Sequence, residues 1–128
     1  MGIFMRQESI QYFTDKDEEF VNLLIKIGTR RNVAKMLVFL ASTKEATSRA
    51  IERGTDMRQP EVSMAMKSLI ELGWIKSRES PSENKGRPTK IYTLAKPIDE
   101  IINFIESEKK NETRYKIALV RKLRNYLD

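Results

Sequence analysis

Residues 47–75 read TSRAIERGTDMRQPEVSMAMKSLIELGWI, and this stretch decides the fold. Thr47 is placed to cap a short helix over about 48–54, because a hydroxyl at an N-cap accepts from an unpaired backbone amide. Pro60 suits the first turn of a second helix over about 60–72, where a missing N–H costs nothing. The stretch therefore predicts two helices joined by a short turn.

The second helix of this pair has one apolar face and one polar face. Measured from Pro60 at about 100° per residue, its apolar side chains fall between about 120° and 280°. The N-terminal end and the outward face carry the candidate contact residues Arg58, Gln59, Pro60, Ser63, Met64 and Lys67. Such a helix buries one side and presents the other, either to solvent alone or to a partner.

Two β-favouring segments follow, at 74–78 and 87–94, and a stretch rich in Pro, Ser, Asn and Gly separates them. They predict a hairpin with an irregular tip over about 79–87. From Lys76 to Lys90 the sequence has five basic and two acidic residues, a net charge of +3 out of +6 for the chain. The candidate contact residues of this hairpin are Lys85, Gly86, Arg87 and Lys90. An ordinary charged surface loop is the alternative.

Two further helices are expected upstream, one ending at Gly28 and one over about 30–41 with Thr29 as its cap. Four helices, with a short turn between the third and the fourth, and a hairpin form the order of a winged helix-turn-helix. Residues 47–75 and the segment GRPTKIYTL at 86–94 resemble small winged-helix regulators of the ArsR, MarR and TrmB-like groups, above all archaeal ones. The resemblance covers roughly residues 30–95. It implies a winged helix-turn-helix with a two-stranded wing, and with the apolar patterns at the two ends of the chain the expected fold is mainly α (α+β) with flanking N- and C-terminal dimerisation helices. It also implies a dimeric DNA-binding transcription regulator.

The residue types on the polar helix face suit that implication. A recognition helix enters the major groove by its N-terminal part, where Arg pairs with guanine and Gln with adenine through two hydrogen bonds. Ser63 can bond either base, and Met64 can contact a thymine methyl group. The wing would reach the DNA backbone or minor groove. A weaker prediction assigns phosphate contacts to the start of the preceding helix, at Thr47, Ser48 and Arg49, although capping alone would explain Thr47.

The two ends of the chain have apolar patterns that suit dimerisation. A helix is expected to start at Thr14 and to end at Gly28, and a stripe with i, i+3, i+4 and i+7 spacing starts at Ile98. Residues 97–127 fit one long helix or two joined near Asn111, and 1–13 fit an arm or short helix. The candidate dimerisation residues are Leu24, Ile98, Ile101, Ile102, Ile105, Leu119 and Leu123. Alternatively, these stripes only fold back on their own domain.

These features predict three regions: an N-terminal arm and helix (1–28), a DNA-binding domain (29–95) and a helical dimerisation region (96–128). The composition limits which catalytic and metal-binding groups the chain can provide. The chain has no Cys and no His, so it offers no thiolate or imidazole for catalysis or for metal binding. We therefore expect no enzyme, no metal and no cofactor. No apolar run approaches the roughly 20 residues that span a bilayer, and no export signal opens the sequence, so we expect a cytoplasmic protein without a membrane partner.

The leading hypothesis is a homodimeric, sequence-specific double-stranded DNA-binding transcription regulator, with a recognition helix over about 60–72 in the major groove. The alternative is a winged-helix interaction module of transcription or replication machinery that uses the same face on a protein. The salt dependence of binding distinguishes a DNA partner from a protein partner, because phosphate contacts weaken steeply as the salt concentration rises. The sequence leaves open the operator, the direction of regulation and any small-molecule effector.

Overall fold

The computed structural model describes residues 13–81 and 88–127. Within these ranges the chain forms five helices and three strands. In chain order they are α1 (Asp15–Lys26), α2 (Arg31–Thr43), β1 (Glu45–Ala46), α3 (Ser48–Thr55), α4 (Gln59–Glu71), β2 (Ile75–Ser80), β3 (Thr89–Leu94) and α5 (Ile98–Arg124). The chain divides into two compact units, with the boundary between Ala95 and Lys96. The winged helix-turn-helix predicted from the sequence is confirmed.

Helix α1 starts and ends as its sequence predicts. The Thr14 hydroxyl accepts from the Asp17 amide and the Asp17 carboxylate accepts from the Thr14 amide, each at 3.1 Å, which is a capping box. At the other end Gly28 has φ 110°. Its N–H donates to the Ile25 carbonyl, and the next N–H donates to the Leu24 carbonyl at 2.9 Å. This Schellman arrangement needs a residue that tolerates positive φ, which explains the glycine.

Helix α2 forms the centre of the first unit. It begins at Arg31 with Arg30 as its N-cap, one residue later than a Thr29 cap would give, and no side chain caps it. It contacts α1, α3, α4 and the strands β1 and β3, so apolar side chains are needed around most of its circumference. Its buried residues are Val33, Ala34, Met36, Leu37, Val38, Phe39 and Leu40.

The sheet has three strands, in the order β1-β3-β2 and antiparallel throughout. The expected two-stranded hairpin is present as β2 and β3, and β1 adds a third strand beside β3. Lys44, at φ 75°, turns the chain out of α2 and brings Glu45 opposite Thr93. Glu45 also accepts a hydrogen bond from Arg78 on β2 at 2.7 Å, so one ion pair links the two outer strands. A strand of two residues leaves no periodic signal in the sequence, since alternation needs several residues.

Gly73 ends helix α4 and allows a direct test of its backbone conformation. It has φ 77°, and the following N–H of Trp74 donates to the Leu69 carbonyl at 3.0 Å. A Cβ added at Gly73 would meet nothing within 4 Å, so only backbone strain opposes alanine there. We expect Gly73→Ala to lower the free energy of unfolding by about 1 kcal/mol in urea titrations. Gly73→Asn should lose less, because Asn tolerates this conformation better, and equal stability of all three proteins would contradict this explanation.

Helix α5 makes up most of the second unit. It is a single helix of 27 residues, so the open choice between one helix and two is resolved. Its polar middle stays helical with two ion pairs along its surface, Lys110–Glu106 at 3.1 Å and Lys109–Glu112 at 3.3 Å. Large apolar side chains remain exposed along it, most strongly Tyr115 and Leu123 at 66% each. Within the described ranges, no helix combines the length and apolar character that crossing a membrane requires.

Candidate nucleic-acid interface

The turn between α3 and α4 fixes how the second helix projects. Asp56 has left-handed backbone angles (φ 58°, ψ 39°), so α3 runs through Gly54 and ends one residue later than the sequence predicts. The Thr55 hydroxyl is buried and donates to the Ile51 carbonyl at 2.6 Å. Met57 is 5% exposed, which anchors the turn in the core. These contacts hold α4 in one direction relative to α3.

The start of α4 is capped by a side chain of its own first turn, that of Glu61. The N–H of Arg58 donates to Glu61 Oε1 at 2.8 Å, and Pro60 lies in the first turn, where it has no N–H to satisfy. The helix buries Val62, Ala65, Met66 and Leu69. The opposite face is solvent-exposed at every residue predicted for DNA contact: Arg58, Gln59, Pro60, Ser63, Met64 and Lys67. Their shared exposed face is what a groove-binding helix requires, although solvation alone would place them there too.

One hydrogen bond organises this face. Gln59 Nε2 donates to Ser63 Oγ at 3.0 Å, one helical turn further on. The bond leaves the Gln59 carbonyl oxygen, one amide hydrogen and the Ser63 hydroxyl hydrogen for other partners. These are the donors and acceptors that base edges match in the major groove. The pair thus presents a small, ordered hydrogen-bonding surface.

A cleft of about 470 Å³ lies along the side of α4 that faces α3 and β3. It brings together four residues that the sequence predicts as DNA contacts: Ser48, Gln59, Ser63 and Lys67. Six further residues line it that were not predicted as site residues, and three of these have polar groups: Tyr92, Glu52 and Glu71. The signal for Tyr92 was its place in β3, where alternation puts it on the face opposite Ile91 and Thr93. Nothing in the sequence pattern singled out the two carboxylates.

The other side of α4 meets the start of α2. A second pocket there is lined by Met64, by Glu61 and by the two arginines at the start of α2, Arg30 and Arg31. Both arginines are exposed. Met64 is 69% exposed, between these cations and the solvent. Cationic side chains therefore flank the recognition face on the α2 side.

The wing is described only at its base. Lys85, Gly86 and Arg87, three of the four predicted wing contacts, lie outside the described residues. Lys90 is exposed on β3, opposite Glu79 of β2. Because side chains two apart on a strand share a face, Lys90 is on the same face of β3 as Tyr92, which lines the α4 cleft.

The three weaker phosphate candidates lie at the start of α3. The Thr47 hydroxyl accepts from the Ala50 amide at 3.1 Å, so it caps the helix as predicted. Its own hydroxyl hydrogen stays available as a donor. Ser48 is half-buried beside the α4 cleft, and Arg49 is exposed.

The predicted dimerisation residues differ in exposure. Leu24 is 4% exposed, so its side chain belongs to the core of this chain and does not present a surface to a partner. Ile101 is buried, and Ile98 and Ile105 are half-buried. The exposed members are Ile102, Leu119 and Leu123.

The distribution of charge holds a signal that the sequence reading missed. From Arg58 to Glu71, two basic and two acidic residues cancel. The second half of α5, residues 113–124, carries five basic residues and no acidic one. These cations are Arg114, Lys116, Arg121, Lys122 and Arg124. Among the described residues, no group of three or more Asp or Glu side chains is arranged to hold a metal ion.

Comparison with solved structures identifies the fold. TrmBL2, an archaeal chromatin protein, matches with a TM-score of 0.64 and 15% identity over 88% of this chain and 40% of its own. A possible transcriptional regulator from Methanosarcina mazei Go1 matches with a TM-score of 0.58 and 14% identity over 87% of this chain and 89% of its own. The MarR family transcription regulator SP03579 gives 0.53 and 16%, over 88% and 78%.

This chain therefore has the winged-helix fold of the MarR and TrmB kind. It spans 40% of the length of TrmBL2. No protein-family model matches the sequence, and no curated protein matches it.

Proposed function

We propose that this protein is a homodimeric regulator of transcription that binds double-stranded DNA in the cytoplasm and has no catalytic activity. Residues 29–95 would bind DNA, and residues 96–128 would hold two copies together. The observation that carries the proposal is the exposed Gln59–Ser63 pair on α4, where a bond of 3.0 Å orders groups that match base edges. The neighbouring structures are transcription regulators and a chromatin protein, which supports DNA as the partner.

The docking follows from the geometry of the α4 face. The N-terminal part of α4 would enter the major groove, with Gln59 and Ser63 on base edges and Met64 against a thymine methyl group. Arg30 and Arg31 on one side and Lys90 on the other would contact phosphates. Glu52 and Glu71 line the cleft between them, so phosphate is repelled from the cleft and confined to its rims. A carboxylate in this position can instead accept from the amino group of cytosine.

Salt dependence of binding to a duplex tests this function directly. For each phosphate neutralised, the logarithm of the binding constant should fall with a slope of about −0.9 against the logarithm of salt concentration. Fluorescence anisotropy of a labelled duplex measures that slope. Binding that is nearly independent of salt would overturn the phosphate contacts and would favour a protein partner on the same face.

Lys90→Ala tests the wing base. We expect the variant to weaken binding to every duplex by a similar factor and to reduce the salt slope by about 1, because one phosphate contact is lost. Lys26→Ala removes an equally exposed cation at the end of α1 and should change neither value. A Lys90→Ala protein with an unchanged slope would remove Lys90 from the interface.

A second candidate is sequence-independent coating of DNA. It is favoured by one observation: the charges from Arg58 to Glu71 cancel, whereas the second half of α5 carries five cations and no anion. The match to TrmBL2, a chromatin protein, is in keeping with such a role. The two candidates differ in whether one duplex sequence is preferred over others.

A further inference from the structure

Eight residues of helix α5, and Tyr126 in the turn that follows Arg124, are spaced like the core positions of a coiled coil; we call these nine residues the seam. From Ile98 to Tyr126, nine residues follow each other in alternating steps of four and three, which is the spacing of heptad core positions. In order they are Ile98, Ile102, Ile105, Lys109, Glu112, Lys116, Leu119, Leu123 and Tyr126. Both ends of the seam are apolar and its middle is charged.

Four of the six apolar residues of this seam are exposed, and the other two, Ile98 and Ile105, are half-buried. Ile102 is 43% exposed, Leu123 is 66% exposed and Tyr126 is 86% exposed. Rows of apolar side chains at this spacing are stabilised when a second helix packs against them. The charged middle decides which helix can do so, because buried like charges repel and opposite charges attract.

We propose that the partner is α5 of a second copy and that the two helices run antiparallel. In a parallel pair each core residue faces its own copy, so Lys109, Glu112 and Lys116 would each meet a like charge. In an antiparallel pair the two kinds of core position face each other. Glu112 then lies opposite a lysine.

One antiparallel register covers the exposed residues best. It aligns Ile102 with Tyr126 of the second copy, Ile105 with Leu123, and Glu112 with Lys116. A shift by one heptad would align Glu112 with Lys109 and Ile98 with Leu123, but it would leave Tyr126, in the turn after α5 and the most exposed of the nine residues, without a partner. We therefore assign the first register.

The charge of the whole helix supports the same direction. Residues 98–112 hold five acidic and two basic residues, a net charge of −3, and residues 113–124 have a net charge of +5. The antiparallel arrangement places each negative half beside the positive half of the other copy. A parallel arrangement would place like halves together, which opposes association.

This inference rests on the proposed homodimer and fixes its geometry. Because the chain has no Cys, single cysteines report on it cleanly. Full-length protein with Ile105→Cys is mixed with a longer, tagged version with Leu123→Cys and oxidised without DNA. We expect a mixed disulfide, because the two positions face each other. Neither variant should link to its own copy, since 18 residues separate the facing positions along the helix, about 27 Å.

Arg121→Cys is the matched control for Leu123→Cys, because residue 121 is on the outer face of α5. The Arg121→Cys protein should give no mixed disulfide with the Ile105→Cys protein. Disulfides between identical Leu123→Cys copies would establish the parallel arrangement and overturn the proposal. A dimer mass in sedimentation without any mixed disulfide would overturn it as well, since another surface would then hold the copies together. Circular dichroism confirms that each variant keeps its helices.

A charge variant gives a second readout that needs no cysteine. Glu112→Lys makes the centre of the seam entirely cationic, so we expect the dimer dissociation constant measured by sedimentation to rise at least tenfold. Glu100→Lys makes the same charge change on the outer face and should leave it within about threefold. Equal constants for both variants would contradict the seam. If the dimer forms as proposed but binds no duplex, the proposed function fails while this inference stands.

Discussion

Gln59→Ala should reduce the preference for a specific duplex over random duplex by about 1–3 kcal/mol, roughly 5- to 150-fold. The reason is local: Gln59 supplies an amide at the exposed start of α4, held by its 3.0 Å bond to Ser63. Truncation removes the group proposed to read a base and leaves every proposed phosphate contact in place. Competition titrations with specific and random duplexes at one salt concentration measure the ratio.

Two further variants sharpen that result. Ser63→Ala should reduce the same preference in part. The double variant Gln59→Ala, Ser63→Ala should reduce it by less than the sum of the two single losses, because the two side chains act as a pair. Asn103→Ala removes an equally exposed amide from α5 and should leave the preference unchanged. Equal weakening by Gln59→Ala on specific and random DNA would show that Gln59 does not read bases.

Leu69→Ala should have the largest effect on stability, lowering the free energy of unfolding by about 2–5 kcal/mol. Leu69 is 0% exposed on the inner face of α4, and α4 packs on α2 and α3. Truncation loses the buried apolar contacts and leaves a cavity that the surrounding helices fill only in part. Urea unfolding followed by circular dichroism measures the loss.

Leu72→Ala is the matched control. It makes the same truncation three residues later, at a side chain that is 48% exposed, so we expect a change of less than about 0.5 kcal/mol. Similar losses for both variants would mean that α4 does not pack by the face that the structure assigns. In that case the exposure of Gln59 and Ser63 would also need another explanation.

Much of the fold could be predicted because its boundaries depend on local chemistry. The helix start at Thr14, the helix end at Gly28 and the proline in the first turn of α4 each depend on a few neighbouring residues, and each lies where expected. The strand β1 could not be predicted. Its two residues become a strand only because tertiary folding brings Thr93 and Tyr92 beside them.

The candidate site was predictable to a similar extent. Helical periodicity put the candidate contact residues at the start and on the outer side of α4, and all six are exposed. Periodicity could not show that Tyr92 and Glu52, from different elements, line the same cleft. It also could not separate Leu24, which the chain itself buries, from Leu123, which it leaves exposed. Apolar spacing marks a buried face without saying whether the same chain or another covers it.

The central claim is that α4 reads the sequence of double-stranded DNA in a homodimer. Selection of bound duplexes from a random library, at about 0.15 M salt, tests it most directly. We predict an enriched two-fold symmetric site whose half-sites lie about one helical turn, or a multiple of it, apart. Selected pools without any enriched sequence, from a protein that still binds DNA, would contradict the claim and support sequence-independent coating.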